Sequence, residues 1–163
     1  MWIIHLDGFR YYEEIDKDIL MNSKTEMKLR ISQSESTYAI RYNELSNCTY
    51  NDVLYNQYLY EDKRIVISRW RLSSHNLRIE TGRYTRPKTP RDERTCGLCE
   101  AVVEDEQHVI FICPLYQRTR EKYQQLLEKY ESVSKLLNPT SLCDAEKVGN
   151  LLMDIEKIRK TLT

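Results

Sequence analysis

The chain has 163 residues, 40% of them apolar and 31% charged. That is the size of one ordinary domain, with enough apolar material for a core and too much for a disordered chain; only four Gly and four Pro weigh against an all-β protein with many tight turns and favour helices. The 25 basic and 25 acidic side chains cancel to a formal charge of zero, which over the whole chain speaks against a nucleic-acid partner, whose domains usually run basic.

At the start of the chain, Trp2, Ile4 and Leu6, then Phe9 and Tyr11, alternate around Asp7-Gly8, a β-hairpin signal that competes with a short helix. His5 and Asp7 interrupt this stretch, so it lacks the apolar core of a signal peptide, and no run of about 18 apolar residues follows that would span a bilayer. The expectation is a protein with no membrane partner, intracellular, in the nucleus or cytoplasm. Residues 20–47 are polar and poorly periodic. Between Tyr50 and Tyr60 the residues Leu54, Tyr55, Tyr58 and Leu59 fall at helical spacing. Eight of the twelve Tyr lie in residues 1–62; on helical or alternating patterns in an acidic segment, they read as packing residues rather than base-stacking ones.

A second helix is expected over residues 62–73, with Ile65, Val66, Trp70 and Leu72 on its apolar side and Arg64, Arg69 and Arg71 off it. An irregular segment carrying Gly82, Pro87 and Pro90 follows. The acidic run Glu104-Asp105-Glu106 suits the start of a short helix over 104–112. Pro114 suits the first turn of the next, which carries Tyr116, Tyr123, Leu126, Leu127, Tyr130, Val133 and Leu137 at helical spacing and stops at Asn138-Pro139. A last helix from about Ser141 places Leu142, Ala145, Val148, Leu151, Leu152, Ile155 and Ile158 on one side.

The zero charge is a sum of unlike parts. Residues 1–62 hold 6 Lys/Arg against 11 Asp/Glu, a net of −5; residues 63–94 hold 10 against 3, a net of +7; residues 95–163 hold 9 against 11, a net of −2. Eight of the ten cations in the middle segment are Arg, whose fork suits phosphate better than the Lys point charge. Either the segment is a solvated face pairing with the acidic flanks, or it is a phosphate-contacting stripe. The candidate nucleic-acid contacts are Arg64, Arg69, Arg71, Arg78, Arg83, Arg86, Lys88, Arg91 and Arg94.

The strongest motif is Cys96-Gly97-Leu98-Cys99, then His108, then Cys113, a C-x2-C-x8-H-x4-C spacing. Two thiolates two residues apart grip one ion from a tight turn, which Gly97 eases, and His108 and Cys113 complete a tetrahedron typical of structural zinc. All four positions are filled by protein, which favours a structural Zn²⁺ over a hydrolytic one; Arg94 is placed to offset the site's negative charge. Ordinary buried Cys rarely arrive in this pattern. A redox C-x-x-C would lack the preceding βαβ unit and leave His108 and Cys113 without purpose. Asp105 and Glu106 beside His108 lack the Pro-Cys-x-x-Cys context of a zinc deaminase. The five Cys are an odd number, as expected of reduced thiols and metal ligands rather than a disulfide framework. Cys48 and Cys143 read as packed thiols, and His5 and His75 as satisfied side chains.

These residues resemble a known family. The run Arg69-Trp70-Arg71-Leu72-Ser73-Ser74-His75-Asn76-Leu77, then Ile79-Glu80-Thr81-Gly82-Arg83-Tyr84, precedes Arg94-Thr95-Cys96-Gly97-Leu98-Cys99, Val103-Glu104-Asp105-Glu106-Gln107-His108, and Cys113-Pro114-Leu115-Tyr116 with Arg120. Together they are similar to the zinc-binding (CCHC) region C-terminal to the reverse transcriptase of LINE-type, non-LTR retrotransposons in animals. The resemblance is strong over residues 63–122, looser over 36–62 and 123–160, and does not extend to 1–35. It implies zinc on Cys96, Cys99, His108 and Cys113 and template RNA or target DNA on the basic segment, with the parent retrotransposon polyprotein's other domains as further partners. It implies no catalysis, since the chain shows no Tyr-x-Asp-Asp polymerase signature and has no room for a palm or endonuclease. An expressed fragment, a truncated copy and a host-adapted copy are all consistent with it.

The expected fold is mainly α, a helical domain built around a CCHC zinc-knuckle-like loop with the hairpin at its N-terminus. It comprises an acidic, Tyr-rich part over 1–62, a basic helix and loop over 63–94, the CCHC site over 95–122 and two amphipathic helices over 115–163, with 63–163 as one domain. The expected function is a noncatalytic, zinc-stabilised nucleic-acid-binding module; the alternative is a zinc-stabilised protein-interaction module derived from such an element, with the basic segment on an acidic protein surface and the C-terminal helices pairing with another chain.

Overall fold

A computed structural model of the chain describes residues 53, 54 and 56–162, together with Asn22, Thr25, Glu26 and Leu29. The chain divides into two units, residues 1–43 and 44–163. In the first, the four described residues are helical, and the expected hairpin lies outside the described residues. In the second, the protein is mainly α: the regular elements among the described residues are helices, with a single β-bridge between Thr95 and Val103.

Helix α1, Glu61–Arg71, places Glu61 and Asp62 in its first turn and Arg69 and Arg71 in its last, each sign against the end of the helix dipole that it favours. It buries Val66, Ile67 and Trp70, whereas Ile65 and Leu72, expected on that face, are about half exposed. Ser73 closes the helix in the left-handed region at φ 51°; its N–H bonds Trp70 O and that of Ser74 bonds Arg69 O at 2.8 Å, the paired termination in which a left-handed residue recovers the last carbonyls. The expected helix from Tyr50 to Tyr60 is not formed over the described part of that stretch. There the chain turns twice, Asn56 N to Val53 O and Leu59 N to Asn56 O, and the Asn56 side chain accepts from Tyr58 N at 2.9 Å. Such local side-chain bonding competes with helical pairing. Leu54 and Leu59 are still buried.

After the short helix α2, Arg78–Thr81, the chain is irregular up to Cys96. A π-helical turn, His108–Ile112, and a 3-10 turn, Pro114–Tyr116, lead into α3, Gln117–Lys122, α4, Gln124–Lys129, and α5, Val133–Leu136. The single long helix expected here is thus divided at Tyr123 and again at Tyr130. Tyr130 leaves helical geometry with ψ 80° and is buried, its hydroxyl donating to Asp144 Oδ2 at 2.9 Å. Ser132 then starts α5, its side chain accepting from Lys135 N. A tertiary hydrogen bond in the core outweighs the continuation of an apolar stripe.

Helix α6, Leu142–Leu162, follows the sequence pattern closely: Ala145, Val148, Leu151, Leu152 and Ile155 are buried, and Leu142 and Ile158 pack at the edge. Ser141 accepts from Asp144 N at 3.1 Å as its N-cap. Its chief partner is α1. The two backbones approach where Gly149 faces Lys63: a Cβ on Gly149 would lie 2.6 Å from Lys63 Cβ and 3.1 Å from its Cα. One continuous core, from Leu54 to Ile155, joins α1, the segment from Cys96 to Cys113 and α6. No helix among the described residues is long and apolar enough to cross a membrane.

Because a side chain at Gly149 meets backbone as well as side-chain atoms, Gly149→Ala should push α6 off α1 and lower unfolding stability by about 1–3 kcal/mol, despite the better helix propensity of Ala; urea denaturation with an unchanged m-value checks this.

Candidate metal centre

The first two cysteines sit on a knuckle whose ends are tied by backbone bonds. Cys96 N donates to Val102 O and Glu104 N to Arg94 O, both at 2.8 Å, and Glu100 N returns to Cys96 O at 2.8 Å. The left-handed residue that closes the turn is Glu100, φ 56°, not Gly97, expected to ease the turn. Gly97 matters for a different reason: a Cβ there would fall 2.9 Å from a terminal guanidinium nitrogen of Arg78, so its lack of a side chain leaves room for that cation over the knuckle.

His108 and Cys113 come from the π-helical turn. Asp105 caps it, accepting from His108 N at 2.8 Å, and Cys113 N bonds His108 O at 2.7 Å, a span of five residues. In an α-helix of 3.6 residues per turn, positions five apart face different directions; the wider turn carries His108 and Cys113 to the same side. Pro114 then begins the 3-10 turn, where its missing N–H costs nothing.

The knuckle and the turn bring one donor atom each from Cys96, Cys99, His108 and Cys113 within 4.8 Å of one another, with Cys99 Sγ 3.2 Å from His108 Nε2. All but Cys99 are buried. Three sulfurs and one imidazole nitrogen at this separation can hold a metal ion. The protonation tendencies are mixed. Burial pushes the Cys96 thiol up to about 12 and raises that of Cys113; the backbone N–H of Ala101 leads the interactions that lower Cys99. Burial lowers the pKa of His108, against the opposing pull of Asp105 and Glu104, and so favours the neutral ring a ligand requires.

Behind Cys96 stands Glu104, fully buried. One carboxylate oxygen lies 3.6 Å from Cys96 Sγ; the other accepts from Arg78 N at 2.7 Å, and the backbone carbonyl accepts from Ile79 N at 3.1 Å. Arg159, near the end of α6, grips both carboxylate oxygens in a fork, one contact at 2.8 Å. Glu106 is also buried and bonds His75 Nε2 at 2.9 Å. The ring of His75, satisfied as expected, lies 5.0 Å from that of Trp70. Of the acidic run, then, only Asp105 acts as a helix start, while its neighbours are interior anchors. The sequence pattern assigned Glu104 to the helix start and gave no role to Arg159, since no local motif encodes their pairing. Cys143, expected to be packed, is exposed; Cys48 lies outside the described residues.

The nine basic candidates separate into two groups. Arg64 donates to Asn56 O and Leu59 O, Arg71 to Leu137 O, and Arg94 to Thr89 O and Ile79 O. Arg83 pairs with Glu80 at 3.3 Å and Arg69 lies 3.9 Å from Glu156. Arg94, assigned by charge to the metal site, is therefore occupied with carbonyls, and the cation beside the knuckle is Arg78. Arg78, Arg86, Lys88 and Arg91 are exposed, on α2 and the loop between it and the knuckle. No family model, curated protein or solved structure matches the chain.

Removing the Glu104 charge would leave the Arg159 guanidinium in the interior without its carboxylate. Glu104→Gln should lower stability by about 3–5 kcal/mol, the usual cost of breaking a buried pair from one side, and Glu104→Gln with Arg159→Met should recover part of it; thermal or denaturant unfolding of the single and double variants measures the coupling.

Proposed function

We propose that the chain is a noncatalytic, zinc-stabilised nucleic-acid-binding module, of the kind that lies C-terminal to the reverse transcriptase of LINE-type retrotransposons, with template RNA or target DNA on its basic loop. The observation that carries this reading is the placement of Arg78, Arg86, Lys88 and Arg91. They remain exposed when other arginines of the same segment are spent on carbonyls, and the chain that bears them is fastened to the Cys3His knuckle. The arrangement suits phosphates, which several cations on a fixed frame neutralise together.

Zinc is the ion the donor set favours. Three thiols and one imidazole make a soft, four-coordinate set, closed by protein ligands, and bonds of about 2.0–2.3 Å require only a small contraction of donors already within 4.8 Å of one another. When bound, the ion supplies a cross-link: it ties the knuckle to the π-helical turn. The chain's own residues do the rest. Glu104 and Arg159 fix the knuckle to α6, Arg94 holds both ends of the basic loop, and the exposed cations meet the ligand.

Natively purified protein should contain one zinc per chain by elemental analysis, and Cys113→Ser should lose it together with the order of residues 94–122, whose folding the ion's binding energy sustains. Protein purified without metal, or with a metal not lost in Cys113→Ser, refutes the centre. For the ligand, neutralising about four phosphates gives a log–log salt slope of about −3 to −4 on duplex DNA and about −3 on a single strand. Arg86→Ala, Lys88→Ala and Arg91→Ala combined should flatten it by about 2–3. A slope near zero for the intact chain rejects nucleic acid and points to a protein partner.

A further inference from the structure

Tyr84 stands in the middle of the basic loop, between Arg83 and Arg86, with 72% of its surface exposed. It has no ring or cation contact among the described residues. Tyr60, comparably exposed at 66%, is different: its ring lies under the Lys63 ammonium at 4.7 Å. A large ring left in water contributes little to the fold, yet the backbone that carries it is closely tied. Tyr84 N donates to Thr81 O at 3.0 Å. The Thr85 hydroxyl donates to Gly82 O and accepts from Thr89 N, each at 2.9 Å, and Thr89 N also reaches Gly82 O at 3.1 Å. Arg94 then binds Thr89 O at 3.0 Å and Ile79 O at 2.7 Å, and the aliphatic part of Arg94 packs on Gly82, where a Cβ would fall 2.8 Å from Arg94 Cδ.

The loop that carries Arg86, Lys88 and Arg91 thus also carries an exposed aromatic ring, with its backbone already ordered, so a ligand that uses the ring bears little further ordering cost. Cations alone do not distinguish a duplex from a single strand, because both offer phosphates. An aromatic face does: the bases of a duplex are covered by their stacked neighbours, and only an unpaired base offers a free face. We propose that Tyr84 is a base-stacking platform and that the ligand of this loop is single-stranded nucleic acid. The inference rests on the nucleic-acid reading above and narrows it: the ring takes a base while the flanking cations follow the backbone.

The test uses the full chain loaded with zinc and fluorescein-labelled mixed-sequence oligonucleotides of about 20 nucleotides, longer than the usual site of about 4–16, as RNA, as DNA and as the matching DNA duplex, read by anisotropy. Single strands should bind more tightly than the duplex. Tyr84→Ala should weaken single-strand binding about tenfold, within the range for loss of one stacked base, leaving the duplex affinity and the salt slope unchanged, and Tyr84→Phe should retain the wild-type affinity. Since Tyr84 is exposed, its variants should keep the metal content and thermal midpoint of the parent. Single-strand binding that is indifferent to Tyr84→Ala, or an equal loss on duplex and single strand, overturns the stacking role while leaving the nucleic-acid reading intact. Binding to none of the three probes overturns both.

Discussion

Four groups converge on the buried Glu104 side chain and its own backbone: the Arg159 fork from α6, the amide of Arg78, the amide of Ile79 and the thiol of Cys96. They come from three separate parts of the chain, and Glu104 itself follows the knuckle whose ends its amide helps to close. A carboxylate without solvent loses its hydration, and only a cation and several donors together offset that loss. The arrangement therefore adds less to net stability than its number of contacts suggests. What it supplies is position. With Arg159 on the last helix and Glu104 beside the metal site, the knuckle has one place to sit relative to α6, and through Gly149 and Lys63 relative to α1.

The candidate metal site and the basic loop inherit this position. The π-helical turn is a rare geometry, found mostly as a single turn. It is held by Asp105 at one end and Pro114 at the other, and its effect is to aim His108 and Cys113 the same way. Arg94 stands immediately before the knuckle and reaches back across the loop to Thr89 and Ile79. Fixing the knuckle thus fixes one end of Arg94, and Arg94 gathers the loop that bears Tyr84, Arg86, Lys88 and Arg91. The path from the core to the exposed cations runs through hydrogen bonds that can each be named.

What was legible in the sequence was what depends on neighbours along the chain. The α6 stripe and its Ser141 cap were readable because a helix face and an N-cap are local patterns, and the four site residues because their spacing is short and their chemistry restrictive. The extent of α1 was readable within a residue or two, as were Val66 and Trp70 of its buried face, but Ile67 takes the place given to Ile65, since the partner that selects the face is α6. The breaks at Tyr123 and Tyr130 were hidden for the same reason. The stripe from Tyr116 to Leu137 is compatible with one long helix, and only the reach of Tyr130 to Asp144 shows that the chain must turn. The fork between Glu104 and Arg159 spans 55 residues, and no periodicity encodes a pair so distant.

The segment 63–94 carries +7, and a formal count treats every cation as equally available. Arginine has two uses that a count cannot separate, since a fork that binds phosphate binds backbone carbonyls equally well. Here Arg64, Arg71 and Arg94 serve carbonyls and pack against the fold, and Arg83 answers Glu80. The carbonyl contacts need no acidic flank, whereas Lys63 and Arg69 approach flanking acids, Asp62 and Glu156, each at 3.9 Å. Of the candidates left at the surface, Arg86, Lys88 and Arg91 share one loop, with Arg78 on the short helix α2 before it and Arg69 on α1. For a polyanion whose charges are regularly spaced, a small set held on an ordered frame is worth more than a larger set dispersed over the surface, because less conformational freedom is lost on binding.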